Sequence, residues 1–218
     1  FVSILGYYST KVEVDASAET LLLDDDKDLA FFREVNKRYD NSNFLIVTFS
    51  PNSDLLSNEN LDVIKNISNE FLYVENIEKV QSILNVPLLQ SPVRPISDLV
   101  AGVDSMETKE FDKTLVKNEF LTSPLYKNAL VSDDFRTTAL VLNIKNDTKY
   151  YELLEKRNFL LLKEKEKTIS EEEKSQLKGV LIEFKNYRDL TREKDANNIE
   201  KIRTITKKHE PNGKIFLG

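Results

Sequence analysis

From Thr148 to His209 the chain holds no proline and one glycine, Gly179, and charged residues recur throughout. A stretch so long, so free of breakers and so rich in strong helix formers has one regular solution, the α-helix. Thr168-Ile169-Ser170 interrupts it, and Ser170 followed by Glu171, Glu172 and Glu173 is a helix-start signal. The spacing therefore predicts two antiparallel helices, over about 148–166 and 170–191. A further helix over about 194–208 turns Ile199, Ile202 and Ile205 to a sheet. Leu177, Val180, Phe184, Tyr187 and Thr191 alternate by three and four, a coiled-coil-like seam. Two readings of that seam stand side by side. It packs within the chain against Tyr151, Leu154 and Leu161, or Leu177, Val180, Phe184 and Tyr187 form a docking surface for a neighbouring protomer or an accessory protein.

The preceding residues supply the sheet. Asn43 to Phe49 is an apolar run of strand length, and Ser50-Pro51-Asn52-Ser53 is a turn cluster. Ser57 reads as an N-cap, and Leu61, Ile64, Ile67, Phe71 and Leu72 form a helical stripe behind it. Val80, Ile83, Leu84 and Val86 suggest a strand closed by Pro87. The unit is thus strand 44–49, helix 58–73 and strand 79–86. Residues 87–127 hold four of the six prolines and many apolar side chains, which predicts a folded insertion packed on the sheet, with short helical patches near 96–100 and 111–119. A hairpin of arms 128–132 and 136–145 turns at Asp133-Asp134-Phe135. Pro211-Asn212-Gly213 ends the helical region, and Lys214 to Leu217 forms the last strand. Near the start, Lys11 to Val14 alternates as a strand does. Asp24 to Asp26 precede a helix over about 27–39 with Leu29, Phe32, Val35 and Tyr39 on one side.

The expected organisation is an N-terminal strand and helix segment (1–42), a βαβ half with the insertion and hairpin (43–147), a helical hairpin (148–193), and a closing helix and strand (194–218). The expected fold class is α+β, a split βαβ, ferredoxin-like core with a proline-rich insertion and an inserted helical hairpin.

Composition removes several functions. A net charge of −6 argues against nucleic acid, since phosphate binding needs clustered basic surface. With no cysteine there is no disulfide framework, thiolate metal site or cysteine nucleophile. Asp24 to Asp26 lack the glycine that a calcium loop uses, so they read as a solvated helix start. His209, the single histidine, sits near a helix end where it complements the dipole. Ser91 and Ser123 lie beside prolines in turns, and the scattered glycines make no phosphate-cradling loop. The residues point to no catalytic group, metal or cofactor, and to no enzyme. No apolar run approaches the roughly 18 residues of a membrane span.

Three phrases carry a family likeness. Ser17 to Tyr39 joins Leu21-Leu22-Leu23 to Asp24-Asp25-Asp26 and an amphipathic helix. Ser82 to Pro92 reads SILNVPLLQSP. Phe120 to Tyr126 reads FLTSPLY and leads into Asn128 to Ser132 and Thr137 to Leu140. In order and spacing they resemble the first extracytoplasmic loop of RND-superfamily exporters of the MMPL-like, hydrophobe-exporting branch, over nearly the whole chain. The resemblance implies a porter domain of split βαβ subdomains within a proton-driven pump of the inner membrane. Such a domain faces the periplasm or exterior, handles hydrophobic or lipid-like cargo and is tethered by flanking transmembrane helices. It allows a homo-oligomer in the full-length pump. It fits an expectation that Phe1 to Gly6 and Lys214 to Gly218 are the ends of an excised domain. A porter needs an apolar cleft, and Leu88, Leu89, Phe111, Phe120, Leu121 and Leu125 are its candidate walls, with ordinary core the competing reading. A ligand-binding or sensor domain of a membrane receptor is the alternative function, and a scaffold protein using the hairpin is a third.

Overall fold

The computed structural model describes residues 31, 35, 43–93, 95 and 102–218. The chain divides into two units, Phe1–Asn41 and Ser42–Gly218, and the second holds every element below. Phe31 and Val35 are helical; the strand expected at 11–14, the rest of the helix expected at 27–39 and the patch expected at 96–100 lie outside the described residues.

Strand β1 is Phe44–Pro51. Its alternation is that of a strand with one face covered: Val47 and Phe49 are fully buried, while Phe44 and Ile46 face out. Helix α1, Asn58–Leu72, starts where Ser57 accepts the Asn60 N–H at 3.3 Å, and buries Ile64, Ile67 and Phe71. Strand β2 is Ile77–Gln81 and stops five residues before its expected end at 86. Asn85 explains the stop: its Oδ1 accepts the Ser82 N–H at 2.9 Å and its Nδ2 donates to Val80 O at 2.8 Å. Ile83, Leu84 and Val86 are buried by this turn, so their spacing reported burial and not a strand.

Helix α2, Lys113–Thr122, is capped by Asp112, whose Oδ1 accepts the Thr114 N–H at 2.8 Å. Strand β3 is Thr138–Ile144. The first arm expected at 128–132 is not a strand. Asn128 and Phe135 take positive φ, 60° and 57°, and the chain coils there, joined only by single bridges of Val131 to Lys127 and Thr138. Helix α3 is Thr148–Lys165 and α4 is Glu171–His209. Ser170 and Glu173 cap α4 reciprocally. The break expected near 191–194 does not occur, and with it goes the domain boundary at 193/194. Thr191-Arg192-Glu193-Lys194 contains no glycine, proline or competing cap, so a helix already nucleated runs on. A short 3₁₀ turn, Glu210–Asn212, leads to β4, Gly213–Leu217.

The chain is thus α+β, with a four-stranded sheet ordered β2-β3-β1-β4 and every neighbouring pair antiparallel. Consequently β1 and β2 run in one direction with β3 between them, and β3 and β4 in the other with β1 between them. One sheet face takes α1 and the second half of α4, where Ile202 joins Ile64, Ile67, Phe71, Leu140 and Leu142 in the main core.

The first half of α4 leaves that core and packs on α3. Leu153, Leu154 and Phe184 form one cluster with Tyr150 and Tyr187, and Leu160, Leu177 and Val180 form another with Leu161 and Ile169. Rising numbers on α3 meet falling numbers on α4, so the pair is antiparallel. The proposed docking residues Leu177, Val180, Phe184 and Tyr187 are therefore spent inside the pair. The physical reason is proximity: a turn of five residues delivers the seam to its own neighbour before any partner.

Where α4 meets the end of α1, Glu70 Oε1 accepts from Lys208 Nζ at 2.8 Å and lies 2.9 Å from His209 Nε2. The Lys208 bond, aided by His209, holds the Glu70 carboxyl below its ordinary value of 4.5. A lowered carboxylate stabilises the fold above that value and stops doing so as pH falls below it. Glu70→Gln should cost about 0.5 kcal/mol at neutral pH, little because Lys208 stands largely in water. Thermal melts from pH 7 to 3 should show the two proteins converging below pH 4.5; a constant gap means the pair contributes nothing.

Candidate functional site

The chemistry worth following lies where the proline-rich segment meets α2. On α2, Val116, Glu119 and Phe120 stand at i, i+3 and i+4, one helical face, and all three are buried. Glu119 is only 2% exposed. Its Oε1 accepts the Leu89 N–H at 2.7 Å, and its Oε2 accepts the Gln90 N–H at 3.0 Å and the Ser91 hydroxyl at 2.7 Å. No cation pairs with it among the described residues; two amides and a hydroxyl satisfy the charge instead.

The strap Leu84 to Ser91 has further attachments. Tyr126 donates its hydroxyl to Pro87 O. Burial, with the Glu119 carboxylate nearby, raises the Tyr126 hydroxyl above its ordinary value, which keeps the proton that bond needs. The Leu88 N–H donates to Asp104 O at 2.9 Å, and the Glu107 N–H donates to Leu84 O at 3.1 Å. The stretch so attached borders a cleft of about 550 Å³. Asn58 and Leu61 of α1 form one side; Met106 to Phe111 and Lys113 form the other. Lys113 Nζ donates to Asn58 Oδ1 across it at 2.6 Å. The lining is mixed: Leu61, Met106 and Phe111 are apolar, while Glu107, Lys109, Glu110 and Lys113 bring both signs of charge. Among the described residues no three His, Asp or Glu side chains gather closely enough to hold a metal ion.

The six expected wall residues do not form one wall. Leu88 and Phe120 are core, Phe120 fully so, with ring centroids of Tyr126 at 5.2 Å and Phe135 at 6.4 Å. Leu89 is half-buried and contributes its N–H to Glu119. Leu121 is half-buried against the core, Leu125 is 60% exposed, and Phe111 alone of the six lines the cleft. Helical geometry accounts for part of this: Phe120 and Leu121 are neighbours about 100° apart, so Phe120 enters the core fully while Leu121 lies along its edge. Sequence reasoning passed over Glu119, although a lone glutamate on the Val116-Phe120 face was the available signal. It also passed over Leu61 and Met106, which nothing in the local pattern distinguishes from core.

Among the described residues no helix is long and apolar enough to cross a membrane. No protein-family model, curated protein or solved structure matches the chain.

Proposed function

We infer that this chain is the extracytoplasmic porter domain of a proton-driven RND-type exporter, handling hydrophobic or lipid-like cargo. The single observation that carries the reading is the strand order, β2-β3-β1-β4, with each βαβ pair split by a strand of the other. A split βαβ, ferredoxin-like core, the subdomain expected of a porter, would have this order, and it accompanies the three sequence phrases. In this reading α3 and the first half of α4 are a helical hairpin inserted into the second βαβ unit. The half-apolar cleft between α1 and the Met106–Phe111 stretch is the best candidate for the cargo's place, because Leu61, Met106 and Phe111 face space that no described side chain fills.

The test is made on the product of the whole reading frame. Tagged within this domain and expressed in its own host, it should stay in the membrane pellet after alkaline carbonate extraction. An impermeant label added to intact or outer-membrane-permeabilised cells should reach the tag. Recovery of the full product in the soluble fraction overturns the inference.

A further inference from the structure

We propose that Glu119 is a latch that holds the outer wall of the cleft in place through the strap Leu84 to Ser91. The bonds form one connected path. Glu119, near the end of α2, fixes Leu89, Gln90 and Ser91. One residue earlier the same strap holds Asp104 by the Leu88 N–H, and its Leu84 carbonyl holds Glu107. Glu107 begins the stretch that lines the cleft, and that stretch runs into the start of α2 at Lys113. The wall, the strap and α2 are therefore one closed ring of contacts, and Glu119 supplies three of its links.

The chemistry ties the carboxylate to the strap. A buried carboxylate is tolerated only while its oxygens are occupied by donors or a counter-ion; among the described residues Glu119 meets donors alone. All three described donors come from the strap, so the carboxylate and the strap's position depend on each other. A neutral isostere cannot reproduce the arrangement. In Glu119→Gln the amide oxygen can take the place of Oε2 and keep Gln90 and Ser91. The NH₂ group then meets the Leu89 N–H, donor against donor. In the reverse orientation the amide oxygen keeps Leu89, the NH₂ group meets the Gln90 N–H, and the Ser91 hydroxyl turns to accept from it, so either orientation loses one backbone bond. Among the described residues Tyr126, from the turn after α2, is the titratable group that senses Glu119, and its hydroxyl already belongs to Pro87.

The latch rests on the reading of this cleft as the cargo's place for its purpose only, and its test uses no ligand. Amide hydrogen exchange is read residue by residue on the 218-residue chain and on Glu119→Gln. The Leu89 or the Gln90 amide, whichever the new NH₂ group faces, should exchange about ten- to hundred-fold faster, as loss of a charge-assisted bond implies. The Leu88 and Glu107 amides should speed up with it, while the β1 and β3 amides keep their wild-type rates. Faster exchange at Leu89 or Gln90 with Leu88 and Glu107 unchanged overturns the latch, leaving a local cap; so do unchanged rates at both Leu89 and Gln90. Should Glu119→Gln not fold, Ser91→Ala removes a single link, and Leu89 and Gln90 should speed up about two- to ten-fold. Unchanged rates in that variant also overturn the proposal. Failure here leaves the membrane-retention test untouched, and failure there leaves the latch untouched.

Discussion

Phe120→Ala is expected to lower the unfolding free energy by about 3–5 kcal/mol, a fall in melting temperature of roughly 10 °C for a domain of this size. The ring is fully buried, and its removal leaves a void between Tyr126 and Phe135. It also loosens the face of α2 that carries Glu119, so the damage spreads to the strap. The companion variant is Leu125→Ala, at a side chain that is 60% exposed and should cost under about 0.5 kcal/mol. Denaturant unfolding of both distinguishes the two meanings of an apolar residue in this segment. A Phe120→Ala protein as stable as the wild type would return Phe120 to the list of free wall residues.

Gly213→Ala is expected to cost about 3 kcal/mol and to act on β4 first. A Cβ on Gly213 would lie 2.4 Å from Ser50 O, 2.7 Å from Pro51 Cα and 2.9 Å from Phe49 Cε2. Two of those atoms are backbone and cannot turn aside. The residue's φ of 163° is extended backbone that any side chain adopts, so the cost is steric. Gly213 opposes Pro51 at the start of the β1–β4 pairing, and forcing them apart strips Phe216 and Leu217 from their partners Thr48 and Val47. Amide exchange should rise along β4 well before β3 loosens, because β3 is paired on both sides. Equal protection of β4 in variant and wild type would show that the sheet absorbs the extra methyl group.

Two sheet faces with unequal cover follow from the same pairing. Val47, Phe49, Leu140 and Leu142 lie under α1 and α4, while Phe44, Ile46 and Phe216 point away from the helices. Alternation along β1 made that division readable in advance, since a strand with one covered face repeats every second residue. The same logic misled at Val80 to Val86. Apolar residues there are buried by a turn that Asn85 holds together, and a side chain closing hydrogen bonds onto its own backbone leaves no periodic mark.

What the sequence determined by itself was local. The absence of proline from Thr148 to His209 and the Ser170–Glu173 box settled where helix had to be and where it had to restart. Ser57 set the start of α1, and the alternation of β1 set which side would be covered. These are decided by backbone sterics, caps and the placement of apolar side chains within a few residues of one another. Tertiary structure alone decided three other things: that the α4 seam packs on α3, that Phe120 is core while Phe111 borders a cleft, and that Glu119 finds its described donors about thirty residues earlier in the chain. Each depends on which distant surfaces meet. Partner choice for a buried apolar or charged group is set by the packing of the whole sheet, and residue type and spacing specify only that a partner is needed.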